Sequence, residues 1–179
     1  MNRPAPARVR ASRSGFTLVE ILVVIFIIAL IITMVGLRGG GARERQALRE
    51  EAQRLRQLVT LAAEESVLGS RQVGIVFQAD GYRFLLLDGQ RWREMDDDGF
   101  LRARQLPGGI TLELHIEGAA EPLIAVADGG ATVAPQVMLL SSGEATPFVV
   151  ELRNRSGGQH RLSVDATATI LLEAVEDGS

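Results

Sequence analysis

Cysteine is absent from the 179 residues, which excludes a disulfide scaffold, a thiolate zinc site and a cysteine nucleophile. An oxidising compartment stays open, because a domain of about 140 residues can be stable without such staples. Lysine is absent as well. All 19 basic residues are arginine, which reads as genome composition bias and carries no function. No internal repeat and no low-complexity tract is present. Positive charge is scarce beyond the N-terminus. Residues 1–15 hold Arg3, Arg8, Arg10 and Arg13 and no acid, whereas the remaining chain sets 15 arginines against 22 acids, a balance of −7. A body that acidic is a poor general nucleic-acid binder, since phosphate contacts need basic surface.

One long hydrophobic run dominates what is there. Between Phe16 and Leu37, 18 of 22 residues are apolar, and without that block the rest falls to roughly 41% hydrophobic, an ordinary globular composition. The chain is therefore neither polytopic nor disordered; it is a small domain with one apolar segment attached. At 1.5 Å rise per residue, about 20 apolar residues span a bilayer core of about 30 Å. The run is rich in Ile and Val, weak helix formers in water, but in lipid the backbone must satisfy its own hydrogen bonds and helix wins. The arginines before it place the N-terminus in the cytoplasm and the C-terminal domain outside. A secretory signal peptide fits poorly, because the apolar stretch is too long and Gly36 to Gly41 offers a weak cleavage site. A plain anchor fits the length, but a carboxylate inside such a segment is rare, and Glu20 is then just a side chain reaching back to the headgroups.

The run Ser14-Gly15-Phe16-Thr17-Leu18-Val19-Glu20, followed by the apolar helix, resembles the class III leader of type IV prepilins and type II secretion pseudopilins. The resemblance implies cutting by a prepilin peptidase between Gly15 and Phe16, then N-methylation of Phe16. The residue types suit that chemistry. Gly15 has no side chain to obstruct approach to the backbone, and the cut creates a charged amine one helical turn from Glu20. In that family the Glu20 carboxylate meets the amine of a neighbouring subunit, so pairing of otherwise costly charges sets helix register.

Beyond Leu37 the residues Arg38-Gly39-Gly40-Gly41 form a soft spot, since each glycine costs about 1 kcal/mol relative to alanine in a helix. Leu48, Ala52, Leu55, Val59 and Ala62 then recur at steps of four and three, predicting an amphipathic helix over Arg43 to Leu68 with that stripe facing a core. From Gln72 the period becomes two. Strands are expected at 72–78, 82–88, 110–116, 123–126, 136–140, 148–154, 159–165 and 169–174, with turns at Ala79-Asp80-Gly81, Asp128-Gly129-Gly130, Ser141-Ser142-Gly143 and Ser156-Gly157-Gly158. The expected fold is α+β: a long N-terminal helix, part membrane segment and part amphipathic, packed on an antiparallel β-sandwich or meander. The organisation follows as a leader over 1–15, an assembly helix over 16–37, its amphipathic continuation over 38–70 and a β-rich periplasmic domain over 71–179.

The stretch Pro135 to Phe148, with Ser141-Ser142-Gly143 and then Thr146-Pro147-Phe148, resembles the C-terminal signature of the GspH/FimT family of minor pseudopilins and pilins. The last hairpin departs from it, carrying Asp165-Ala166-Thr167-Ala168 where relatives often have glycine. This resemblance implies a pilin-like fold and a structural role in the type II secretion pseudopilus near its tip, supporting export of folded proteins. It also implies an inner-membrane location. The implied partners are other minor and major pseudopilins, the prepilin peptidase, the inner-membrane assembly platform, and secreted cargo or secretin. The alternative is a FimT-like minor type IV pilin in pilus assembly or DNA uptake, against which the acidic body argues.

Catalytic chemistry finds little support. Ser141, His160 and Asp165 are triad residue types, but Ser142-Gly143-Glu144 reads as a turn without the Gly-x-Ser-x-Gly setting. His115 lies between Glu113 and Glu117 on the polar side of its strand, and two histidines 45 positions apart offer no metal spacing. Asp96, Asp97 and Asp98 form the one acidic cluster. It is a weak calcium candidate, lacking the alternating ligands of an EF-hand, and reads first as a solvated turn. No cofactor and no catalytic residue is assigned, so the expectation is a protein that is not an enzyme.

Overall fold

The computed structural model describes residues 18–95, 99–118 and 134–175, and for 32–40 the backbone alone. The expected strand at 123–126, the Asp128-Gly129-Gly130 turn and Asp96 to Asp98 lie outside the described residues. The chain divides into two compact units, Met1–Gly40 and Gly41–Ser179. Helix α1 (Leu18–Leu68) is assigned without a break through Gly39 to Gly41, where the glycine-rich soft spot was expected.

In the second unit the helix buries the face its sequence marks. Leu48, Ala52, Leu55, Val59 and Ala62 are all at most 1% exposed. Each large side chain on that stripe contributes about 1.5–3 kcal/mol of burial. The helix ends in a Schellman motif, in which the amides of Ser70 and Arg71 donate to the carbonyls of Val67 and Ser66. The motif needs a left-handed residue, and Ser70 supplies it at φ 50°. Exchanging Ser70 for glycine removes a backbone cost of about 1–2 kcal/mol and adds an entropic one of about 0.5–1 kcal/mol. Ser70→Gly is therefore expected to raise stability by about 0.5–1 kcal/mol in urea unfolding.

Two antiparallel sheets share the core with the helix. The first runs β3 (Arg91–Glu94), β2 (Gly81–Asp88), β1 (Val73–Gln78), β6 (Val137–Leu139), with β4 (Arg104–Gln105) also pairing β2. Gly81 lies where β2 meets β4, and a Cβ there would collide with the Arg104 carbonyl oxygen. The second sheet is β5 (Ile110–Ile116), β7 (Phe148–Asn154), β8 (Gln159–Val164), β9 (Ile170–Val175). Thus the sandwich expectation holds, although β3 and β4 were not foreseen. β3 reads Arg-Trp-Arg-Glu, a charged edge strand without an apolar alternation to betray it.

Aromatic rings join the two sheets. Phe77 of β1 lies 5.6 Å from Phe148 of β7 and 6.5 Å from Tyr82, which meets Phe84 edge-on at 6.0 Å. Such pairs add about 0.5–1.5 kcal/mol each beyond their burial.

Candidate assembly site

The first surface to consider is the start of α1. From Leu18 to Ile31 its apolar side chains are exposed on every side, including Leu22, Ile25 and Phe26. A helix that is apolar all round is stable only when membrane or other helices cover it. Among the described residues no helix is long and apolar enough to cross a membrane, since the described side chains cover only Leu18–Ile31 of the run. Glu20 is exposed in the first turn, where the helix dipole favours a carboxylate. Gly15 and Phe16 lie outside the described residues.

The second is the Ser141-Ser142-Gly143 turn, which closes the end of the domain. The Leu140 amide donates to the Glu144 carbonyl at 2.8 Å and the Gly143 amide to the Leu140 carbonyl at 3.0 Å. Gly143 takes φ +88°, which a side chain would strain. The Ser142 hydroxyl donates to Glu144, and the buried Ser66 hydroxyl of α1 reaches the Leu140 carbonyl at 3.2 Å. Just beyond, Ala145 bridges Leu139 and donates its amide to the Ala166 carbonyl. The turn therefore ties helix, first sheet and second sheet together at one point. Within the turn the Ser142 hydroxyl is taken up by the Glu144 carboxylate.

The last hairpin explains how this chain manages without a glycine. The Asp165 carboxylate accepts from the amides of Thr167 and Thr169 and from the Thr167 hydroxyl at 2.7–2.9 Å. Those bonds hold its pKa below the usual carboxylate range. Ala168 sits in the left-handed region at φ 57°. The gain from Ala168→Gly is smaller than at Ser70, because the Ala168 methyl also packs on the core.

On the solvent face of the second sheet, Glu113, His115 and Glu151 bring ligand atoms within 4.8 Å of one another. His115 and Glu113 occupy the polar face expected from the sequence. Glu151 is already saturated, accepting from Arg153 at 2.6 Å, Gln159 at 2.9 Å and Arg161 at 2.8 Å. Burial alone would raise the Glu151 carboxyl, but the bonds from Arg161 and Arg153 outweigh it and hold it low. The cluster is a cross-strand charge network centred on Glu151, whose carboxylate is already taken up by these donors. His160 is kept neutral to lower pH by burial, offset by a bond to the Glu173 backbone, with Arg49 adding to the depression.

Sequence reasoning passed over one buried polar contact. Glu51, 1% exposed, accepts from the Tyr82 hydroxyl at 2.9 Å and from Arg54 at 2.5 Å. The signal was available, since 51 falls three after Leu48 and four before Leu55, on the core side of the helix.

An N-terminal apolar helix that continues into a helix packed on antiparallel sheets is the architecture of a pilin-type subunit. Residues 51–168 match the family "Type II transport protein GspH", and residues 10–36 match the "Prokaryotic N-terminal methylation motif". The type II secretion system protein H of Pseudomonas aeruginosa is 34% identical over 165 residues, covering 88% of this chain and 92% of that protein. Among solved structures, the minor pseudopilin EpsH of Vibrio cholerae superimposes with TM-score 0.62 at 24% identity, covering 75% of this chain and 99% of that one. The Pseudomonas aeruginosa type IV minor pilin FimU does so with TM-score 0.50 at 18% identity, covering 74% and 96%. The chain belongs to the GspH family of type II transport proteins.

Proposed function

We infer that this chain is a minor pseudopilin, a structural component of the periplasmic pseudopilus of a bacterial type II secretion system that supports export of folded proteins. The observation that carries the reading is the 34% identity to a type II secretion system protein H across 88% of the chain. The fold by itself does not separate secretion from pilus systems, because EpsH and FimU share it. The methylation-motif match over residues 10–36 supports maturation as a prepilin. The peptidase cuts between Gly15 and Phe16, and Phe16 is then N-methylated. The chain is made as a single-pass inner-membrane protein, with the leader cytoplasmic and the β-domain periplasmic.

Assembly follows from the apolar helix. Packing of the 16–37 segments against those of other minor and major pseudopilins replaces lipid around the side chains. Pairing of Glu20 with a neighbour's terminal amine sets their register, because an unpaired buried charge is far costlier than a paired one. The subunit sits near the tip and acts by contact, without a reaction of its own. The assembly platform, and secretin or cargo, are the further partners.

Affinity capture from native membranes tests this, with mass spectrometry of partners and of the N-terminus. The expected result is a start at N-methyl-Phe16 together with pseudopilins and secretin components. The same start with type IV pilus components would move the protein to a FimT-like role. An uncut Met1 with neither set of partners would overturn both.

A further inference from the structure

We propose that Arg45, Arg49 and Arg56 form a stripe on α1 that binds the anionic phospholipid headgroups of the membrane holding the subunit before assembly. This rests on the membrane anchoring proposed above.

The steps of four and seven put the three within about 40° of one another around the helix at 100° per residue. They lie beside the buried face of Leu48, Ala52, Leu55 and Val59, and all three are exposed. Six other arginines are engaged by carboxylates, Arg54 with Glu51, Arg71 with Glu65, Arg83 with Glu94, Arg93 with Asp88, and both Arg153 and Arg161 with Glu151, whereas exposed Arg91, Arg102 and Arg155 stand singly, away from α1. Among the described residues, no hydrogen bond or ion pair reaches the guanidinium of Arg45, Arg49 or Arg56. The nearby exposed acids, Glu44 and Glu50, project about 100° or more away from the stripe. Three guanidinium groups are thus presented on one line with no counter-charge paired to them among the described residues.

Charge is also partitioned along the chain. Residues 38–56 carry six arginines against Glu44, Glu50 and Glu51, a balance of +3. Residues 57–179 carry nine arginines against 18 acids, a balance of −9. An anionic surface attracts the first stretch and repels the second, which favours one orientation of the domain over the membrane. The position suits a lipid in particular. Arg45, Arg49 and Arg56 follow Leu37 by 8, 12 and 19 residues, within the 15–20 residues over which flanking arginines act on a membrane segment. On this flank they oppose the topology set by the four leader arginines, a penalty that an anionic partner on the same side offsets. Guanidinium is well matched to phosphate oxygens, which it grips through two parallel bonds. Each arginine that comes within a Debye length of a charged bilayer strengthens binding roughly fivefold, so two of the three suffice for more than about tenfold.

The test is native mass spectrometry of the full chain, released from micelles that contain equal amounts of phosphatidylglycerol and phosphatidylcholine of the same acyl composition. Retained phosphatidylglycerol should exceed phosphatidylcholine at least about tenfold. Arg45→Gln, Arg49→Gln and Arg56→Gln combined should abolish the preference, with thermal unfolding unchanged because the side chains are exposed. Arg71→Gln with Arg93→Gln, two exposed pairs away from the stripe, should leave it intact. Equal retention of both lipids by the unaltered chain would overturn the proposal, as would a preference that survives the triple substitution. If the triple substitution instead abolishes capture of other pseudopilins while lipid retention stays indifferent, the stripe serves an acidic protein surface and the lipid proposal falls. Flotation with phosphatidylcholine vesicles separates the two levels: a chain that fails to float there removes the anchoring reading itself, whereas one that floats without preference removes the stripe alone.

Discussion

Above pH 10 the folded protein is expected to lose about 1.4 kcal/mol of stability per pH unit, reaching roughly 2–3 kcal/mol by pH 12. The cause is Tyr82, whose phenol is pushed far above its ordinary value of about 10, first by burial and then by the charge and hydrogen bond of Glu51. In the unfolded chain the phenol ionises near pH 10; in the fold it cannot, because its anion would sit dry against a carboxylate. The raised pKa therefore contributes stability in full below pH 10, and that contribution is lost as pH climbs towards the folded value. The chain makes this unusually clean to measure. It has one tyrosine, no cysteine and no lysine, so no other side chain titrates between histidine and arginine. Tyr82→Phe should be less stable by about 1–3 kcal/mol near neutral pH, since it leaves Glu51 buried and short of a donor. It should also be flat from pH 9 to 12, so that the two curves converge near the top of that range. Urea unfolding at several pH values, with tyrosinate absorbance alongside, checks both. A stability that stays constant above pH 10 in the unaltered chain would refute the assignment.

Replacing Gly15 by leucine is expected to stop maturation, leaving precursor with all 15 leader residues and an unmethylated Phe16. The peptidase must bring its groups onto the Gly15–Phe16 peptide, and a branched side chain on the residue before the bond obstructs that approach. Without the cut no amine forms at Phe16, so Glu20 has no charge to meet and the helix cannot take its register. Intact-mass analysis of the membrane fraction distinguishes the forms directly. Glu20→Gln gives the opposite split. Cutting and methylation should proceed, while incorporation into the pseudopilus collapses, because a neutral amide leaves the neighbour's buried amine uncompensated. Normal incorporation of Glu20→Gln would show that register is set elsewhere.

Much of the fold could be read directly from patterns in the chain. The stripe Leu48 to Ala62 is a repeat of period 3.6, and Ile110 to Ile116 alternates at period two; each exposes its buried face without reference to any other segment. Edge strands resist such reading. Arg91 to Glu94 is a strand only because the backbone of Leu85 to Asp88 lies beside it to be paired. The Asp165 hairpin lacks the glycine its position calls for, and the structure supplies the missing piece: three bonds to one carboxylate stabilise a turn in which an alanine takes positive φ. The place of Glu51 on the buried face was legible, but its partner Tyr82, 31 residues away in sequence, was hidden for the same reason as the Glu113–Glu151 cluster. Both depend on which segments the fold brings together.

By itself the sequence determined the leader motif, the single apolar segment, the acidic body and the family, because those rest on local order and composition. Only the tertiary structure decided that the strands separate into two sheets bridged by Phe77 and Phe148, and that the Ser-Ser-Gly turn is a tie between helix and sheets. It alone also decided that Glu151 is neutralised by two arginines while, among the described residues, the guanidinium groups of Arg45, Arg49 and Arg56 meet no carboxylate. Whether a charge is satisfied depends on neighbours that folding delivers from distant parts of the chain, and no local pattern encodes that.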